Sequence, residues 1–152
     1  MNVRYEIKKE TPSKIKELAK MAGDKTSWRK RFEAVNELKK YDCKQTREIL
    51  TQLALHDLVF KVKEAALKAS HPLGITKNGK PLRINGKPKG DLIKDINSKI
   101  YKVEDLLIEG FEINKFKTKF KLLYPEEYDV YQYEKETKFD EWVVNVIKSK
   151  SR

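Results

Sequence analysis

From Thr26 onward, apolar residues recur every three or four positions in segments of ten to fourteen residues, and very short turns separate the segments. This spacing predicts amphipathic helices that each bury one stripe. The first has Trp28, Phe32, Val35 and Leu38 on the expected buried side and Arg29, Lys30, Glu33, Glu37 and Lys40 opposite. A second carries Ile49, Leu50, Leu53 and Ala54, and Asp57 is placed to cap a third containing Val59, Val62, Ala66 and Ala69, which His71-Pro72 ends. Upstream, Val3 to Ile7 alternates as a short strand or arm would. Thr11-Pro12 then reads as the start of a helix through Ile15, Leu18, Ala19 and Ala22, stopped by Gly23.

The third segment resembles the first helix of a HEAT repeat, in which an aspartate precedes a valine, a basic residue and paired small residues; here these are Asp57, Val62, Lys63, Ala65, Ala66 and Ala69. Moving the chain by 31 residues lays Thr26 on Asp57, Ala34 on Ala65, Val35 on Ala66 and Leu38 on Ala69, so Thr26 to Leu38 looks like an earlier copy. The small residues have a physical reason, since they let stacked helices approach closely. The resemblance covers about residues 11–71 and implies binding through a helical face, with no catalytic residues to carry over. Fewer than three repeats are visible, and such arrays need neighbours to bury enough surface. The C-terminal third is therefore expected to cap the stack and share its core.

Residues 72–90 interrupt the helices with Asn78-Gly79-Lys80-Pro81 and Asn85-Gly86-Lys87-Pro88. Asn-Gly accepts the positive φ of a tight turn, so one or two small hairpins are expected over 75–89, with a disordered basic linker as the alternative. The net charge of +11 concentrates around this region. Residues 71–102 hold eight cations against two acids, whereas residues 125–152 carry a net −2. Between Lys77 and Lys89 five cations (Lys77, Lys80, Arg83, Lys87 and Lys89) occur without an acid. A patch of this kind favours a polyanion.

Residues 91–152 read as further helices. Asp91 is expected to cap one containing Ile96, Ile100, Val103 and Leu107, closed by Gly110. A second begins near Asn114 and is expected to bury Ile113, Phe116, Phe120 and Leu123, leaving Lys115 and Lys119 on its other side. Helix, glycine turn and lysine-bearing helix loosely resemble a helix-turn-helix unit, although Asp105 and Leu106 stand where that family has a small residue and Lys119 where it has an apolar one; the alternative is a plain helical hairpin packed on the repeats. Pro125 opens the next helix, and Thr137 with Asp140 reads as a capping box for the last, which holds Phe139, Trp142, Val143, Val146 and Ile147.

Nothing in the chain forms a phosphate-binding glycine loop, a nucleophile elbow or a helical histidine pair. Its one cysteine, Cys43, excludes an internal disulfide and reads as a half-buried loop residue, and His56 and His71 add no zinc spacing. DNA glycosylases with HEAT-like folds would need a longer array. The expectation is an all-α protein: a HEAT-like stack (1–71), a basic hairpin or loop (72–90) and a helical subdomain (91–152). It is non-enzymatic, without cofactor or metal, and cytoplasmic, since no signal peptide or membrane span is apparent. The expected partner is nucleic acid, DNA before RNA, gripped by Lys77, Lys80, Arg83, Lys87, Lys89, Lys115 and Lys119. The rival is an adaptor that holds an acidic protein on the basic helical face of Arg29, Lys30, Lys40, Lys61 and Lys68.

Overall fold

A computed structural model describes residues 5–83 and 91–150, which are mostly helical with one short two-stranded ribbon. The chain divides into two compact units, Met1–Lys87 and Pro88–Arg152. Among the described residues no helix is long and apolar enough to cross a membrane.

Among the described residues of the first unit there are four helices: α1 (Ile15–Ala22), α2 (Trp28–Leu38), α3 (Lys44–His56) and α4 (Phe60–Ser70). α1 packs on α2 and α3 on α4, and the two pairs stack through α2 against α4 and α1 against α3. Ala22, Ala34, Ala54, Ala66 and Ala69 are buried, and their short side chains bring the helices close. Asp57 to Ala69 thus belongs to the second helix of its pair. Val35 and Leu38 share full burial with Ala66 and Ala69, the positions 31 residues on, so the two segments turn the same phase inward. α1 starts three residues beyond Pro12, because Ile15 N donates to Pro12 O (3.1 Å) and closes a turn first. Ahead of it the extended segment around Lys8 forms an isolated parallel bridge to Tyr41, with Asp42 N donating to Lys8 O at 2.7 Å.

The buried face of α2 differs from the expected one. Trp28 and Phe32 are half-buried, and Arg31 takes a core position beside Ala34, Val35 and Leu38. Its guanidinium is satisfied there: Nε donates to Asp57 Oδ2 (2.7 Å), Nη2 to Oδ1 (3.2 Å) and Nη1 to the carbonyl of Asp24 (2.8 Å). A hydrophobicity pattern counts arginine as outward-facing and has no means of seeing a carboxylate 26 residues away. Ala19, also expected inside, is exposed.

At the start of α3, half-buried Cys43 directs its thiol to the buried Thr46 hydroxyl (3.4 Å). Arg47 grips Asp42 with two hydrogen bonds (2.7 and 3.0 Å) and reaches the carbonyl of Leu73 (2.8 Å), which ties α3 to the chain after α4. Those hydrogen bonds hold the Asp42 carboxyl below the usual carboxylate range. Because the folded value is the lower one, the stability it contributes is complete above the unfolded value near pH 4 and is lost as pH falls through the folded value. Asp42→Asn is therefore expected to flatten the fall of the urea midpoint below about pH 4. Some acid sensitivity persists, since Asp24 is also lowered, by its hydrogen bonds from Thr26.

The second unit contains α5 (Ile96–Asp105), α6 (Ile113–Leu123), α7 (Pro125–Lys135), a 3₁₀ turn (Glu136–Lys138) and α8 (Phe139–Lys148). α5 meets α6 and α8, and α7 meets the same two, so the helices enclose one core. At its centre Phe120 contacts Phe116, Tyr128 and Phe139, with ring centres 5.7 to 6.3 Å apart. Trp142 stacks nearly parallel on Tyr131 at 4.6 Å, and the Tyr131 hydroxyl accepts from Ile93 N. Pro125 occupies the first turn of α7, as expected, and Glu126 and Glu127 lie beside its positive end.

Several boundaries differ. α5 begins at Ile96, not after Asp91, because Asp95 takes a left-handed conformation (φ 61°), and it ends before Leu107. Leu123 is exposed, not buried. The Thr137 capping box does not form, because the 3₁₀ turn occupies those residues and Lys138 stands at the helix start without a side-chain cap. At the sharp break before α8, Glu136 holds φ 49° and ψ −123°, a region that suits glycine. Glu136→Gly is accordingly expected to stabilise the protein by about 1 kcal/mol, the strain relieved exceeding the backbone entropy lost. A lowered melting temperature would contradict this.

Candidate nucleic-acid interface

The basic segment after α4 forms a ribbon whose geometry follows from two residues. Asn78 (φ 53°) and Gly79 (φ 77°) both take positive φ, which is the requirement of a type I′ turn. They join β1 (Thr76–Lys77) to β2 (Lys80–Pro81) in antiparallel register, with Thr76 opposite Pro81 and Lys77 opposite Lys80. Every residue from Thr76 to Pro81 is exposed, while Leu73, Ile75 and Leu82 on either side are buried and anchor the ends. Two like charges therefore face each other across a ribbon only two residues long. Such a pair is destabilising by itself, and among the described residues no carboxylate pairs with Lys77, Lys80 or Arg83. Arg83 is exposed one residue beyond Leu82. Lys87 and Lys89, with the second Asn-Gly turn, lie outside the described residues.

The basic face of the helices in the same unit is differently disposed. Lys30 faces Asp24 (3.7 Å), Lys40 faces Glu37 (3.3 Å) and Lys68 faces Glu64 (3.6 Å), so three of its five cations have a local acid. The other two lie over aromatic rings: Arg29 over Trp28 (5.0 Å), and Lys61 over both Trp28 (5.7 Å) and Phe32 (5.0 Å). These contacts explain why Trp28 and Phe32 stay near the surface, where a cation covers each ring. A groove of about 800 Å³ runs past Phe32, Lys39, Lys61 and His71, and His71 Nε2 is buried there without a partner among the described residues.

Lys115 and Lys119, the remaining expected contacts, belong to α6 in the second unit. Lys115 faces Glu109 at 3.6 Å, and Lys119 is half-buried. Both line a groove of about 540 Å³, together with Leu106, Leu107, Ile108 and Leu122 and with the polar Glu109, Asn114 and Thr118. Seven residues, 106–112, join α5 to α6, a longer connection than the three- or four-residue turn of a helix-turn-helix. Gly110 (φ 95°) lies inside that connection and does not end α5. Glu112 caps α6 by accepting from the backbone of Asn114 and Lys115, which holds its carboxyl below the usual range.

Sequence reasoning passed over the apolar part of this groove. Leu106, Ile108 and Leu122 are all exposed. The available signal was Leu122, an apolar residue outside the Phe116–Phe120 stripe of its own helix. In comparisons with protein-family models, curated proteins and solved structures, this chain matches none.

Proposed function

We propose that this is a non-catalytic, cytoplasmic nucleic-acid-binding protein in which a HEAT-like helical stack carries a cationic ribbon that holds phosphates. The observation behind this reading is the Lys77–Lys80 pair, opposed across a two-residue ribbon, exposed, and without a carboxylate partner among the described residues. A fold gains nothing from such repulsion by itself, whereas a phosphate seated between the two ammonium groups relieves it. Arg83 extends the same charge, and Lys87 and Lys89 follow within a few residues in the sequence.

Ribbons and arms of this kind track the backbone or enter a groove, and these contacts position a protein without reading bases. DNA is the favoured ligand, and a regulatory role on the bound nucleic acid belongs to the same reading. The alternative, an adaptor for an acidic protein on the α2–α4 face, is less well supported, because Lys30, Lys40 and Lys68 already have local acids.

The test is a mobility-shift titration of the full chain with generic duplex and single-stranded DNA at low and moderate salt. Binding that weakens steeply as salt rises is expected. An absence of binding to both forms at low salt would reject the proposal.

A further inference from the structure

The groove of the second unit has a composition that phosphate binding does not call for. Its floor and walls are formed by the 106–110 segment and by α6, and beside the exposed polar side chains of Glu109, Asn114, Lys115 and Thr118 it presents three exposed aliphatic ones: Ile108 is 96% exposed, Leu122 73% and Leu106 49%. Isolated surface leucines are ordinary, but three large aliphatic groups around one concavity leave apolar surface that a partner could cover. Phe111 (42% exposed), just before α6, and Leu123 (44%), its last residue, continue the apolar character along the chain.

The lysines of α6 identify the occupant. Lys117 is held by Asp140 at 2.7 Å, and Lys121 lies over the Tyr128 ring at 5.9 Å. Lys119 lines the groove, and among the described residues no carboxylate pairs with it. Lys115 has Glu109 at 3.6 Å, an exposed pair whose members are 63% and 86% accessible, loose enough to be exchanged for another carboxylate. Aliphatic walls with one unpaired and one weakly paired ammonium complement a segment bearing both leucine-type anchors and acids.

We propose that this groove docks an acidic amphipathic helix of a partner protein, with aliphatic anchors against Leu106, Ile108 and Leu122 and carboxylates on Lys115 and Lys119. A helix presents anchors at i, i+3 or i+4 and i+7 along one face, which suits a groove bordered by the three turns of α6. A second copy of this chain, docked symmetrically, would bring its own Lys115 and Lys119 against these two, placing like charges together. Nucleic acid would leave the aliphatic wall in water. The groove belongs to the second unit and the ribbon to the first, and the proposal does not depend on the reading of the ribbon.

The experiment is a fluorescence-anisotropy titration of the full chain with two labelled synthetic helical peptides. Both carry leucines at i, i+3 and i+7; one has glutamates beside them and the other has lysines at the same places. The acidic peptide is expected to bind at micromolar concentration and the basic one at least tenfold more weakly. Leu122→Asp, a substitution at an exposed position, is expected to abolish binding of the acidic peptide, and Lys119→Glu to reverse the preference between the two. Retained helicity by circular dichroism shows that the variants fold. No binding of the acidic peptide, equal binding of both peptides, or binding that ignores Leu122→Asp overturns the proposal. So does sedimentation showing that the protein self-associates through Leu122, or loss of duplex DNA binding in Lys119→Glu with peptide binding unchanged.

Discussion

Replacing Asp57 by alanine is expected to cost about 3–5 kcal/mol, the range for breaking a buried ion pair from one side. The side chains of Arg31 and Asp57 are only 6% and 4% exposed, and they meet through two hydrogen bonds. Without the carboxylate, the guanidinium loses the acceptor of two hydrogen bonds while its side chain stays buried. The loss goes beyond the pair, since Asp57 Oδ1 also accepts from Val59 N (2.8 Å) and so shapes the entry to α4. Arg31→Met should cost a comparable amount by stranding the carboxylate. The double variant should recover much of the loss, because apolar replacement of both partners is often close to neutral. Urea unfolding of all four proteins, followed by far-ultraviolet circular dichroism, gives the coupling directly. A loss below about 1 kcal/mol in both single variants would mean that water reaches the pair.

The other large effect concerns the ribbon. Counterion release at about 50 mM salt is worth roughly tenfold in affinity for each phosphate contact. Lys77→Gln, Lys80→Gln and Arg83→Gln together should therefore weaken DNA binding by about a thousandfold and flatten the salt slope by about 3. With all five cations of the segment engaged, the parent slope would be of order −4 to −5 on B-DNA. The effect should be uniform across sequences, because contacts to phosphate carry no base information. All three side chains are exposed and anchor nothing, so the helical content should not change. Unaltered affinity and slope in the triple variant would remove the ribbon from any role in binding.

The helices were readable because local periodicity dictates them. Val35, Leu38, Val62, Ala66 and Ala69 lie where a 3.6-residue repeat puts them, and Asn78-Gly79 carries its turn geometry in its own chemistry. What escaped depends on partners distant in sequence or on conformations that the residue types disfavour. Arg31 is buried because of Asp57, and Trp28 is displaced toward the surface where Arg29 and Lys61 cover it. Asp95 and Glu136 adopt positive φ without being glycine, which moved the start of α5 and replaced the Thr137 cap with a 3₁₀ turn. At the site, the cations of the ribbon were legible as an acid-free run, but their face-to-face register was not. The aliphatic groove was illegible for a related reason: Leu106 and Ile108 belong to a connection whose path α5 and α6 determine together.

The chain has two tryptophans, and they fall one in each unit: Trp28 edge-on to Phe32 in the first, Trp142 flat on Tyr131 in the second. Each half of the protein thus contains its own optical reporter. With Trp28→Phe, emission comes from the second half alone, and with Trp142→Phe from the first. Melting the two single-tryptophan proteins side by side would show whether the halves lose their structure together or one at a time.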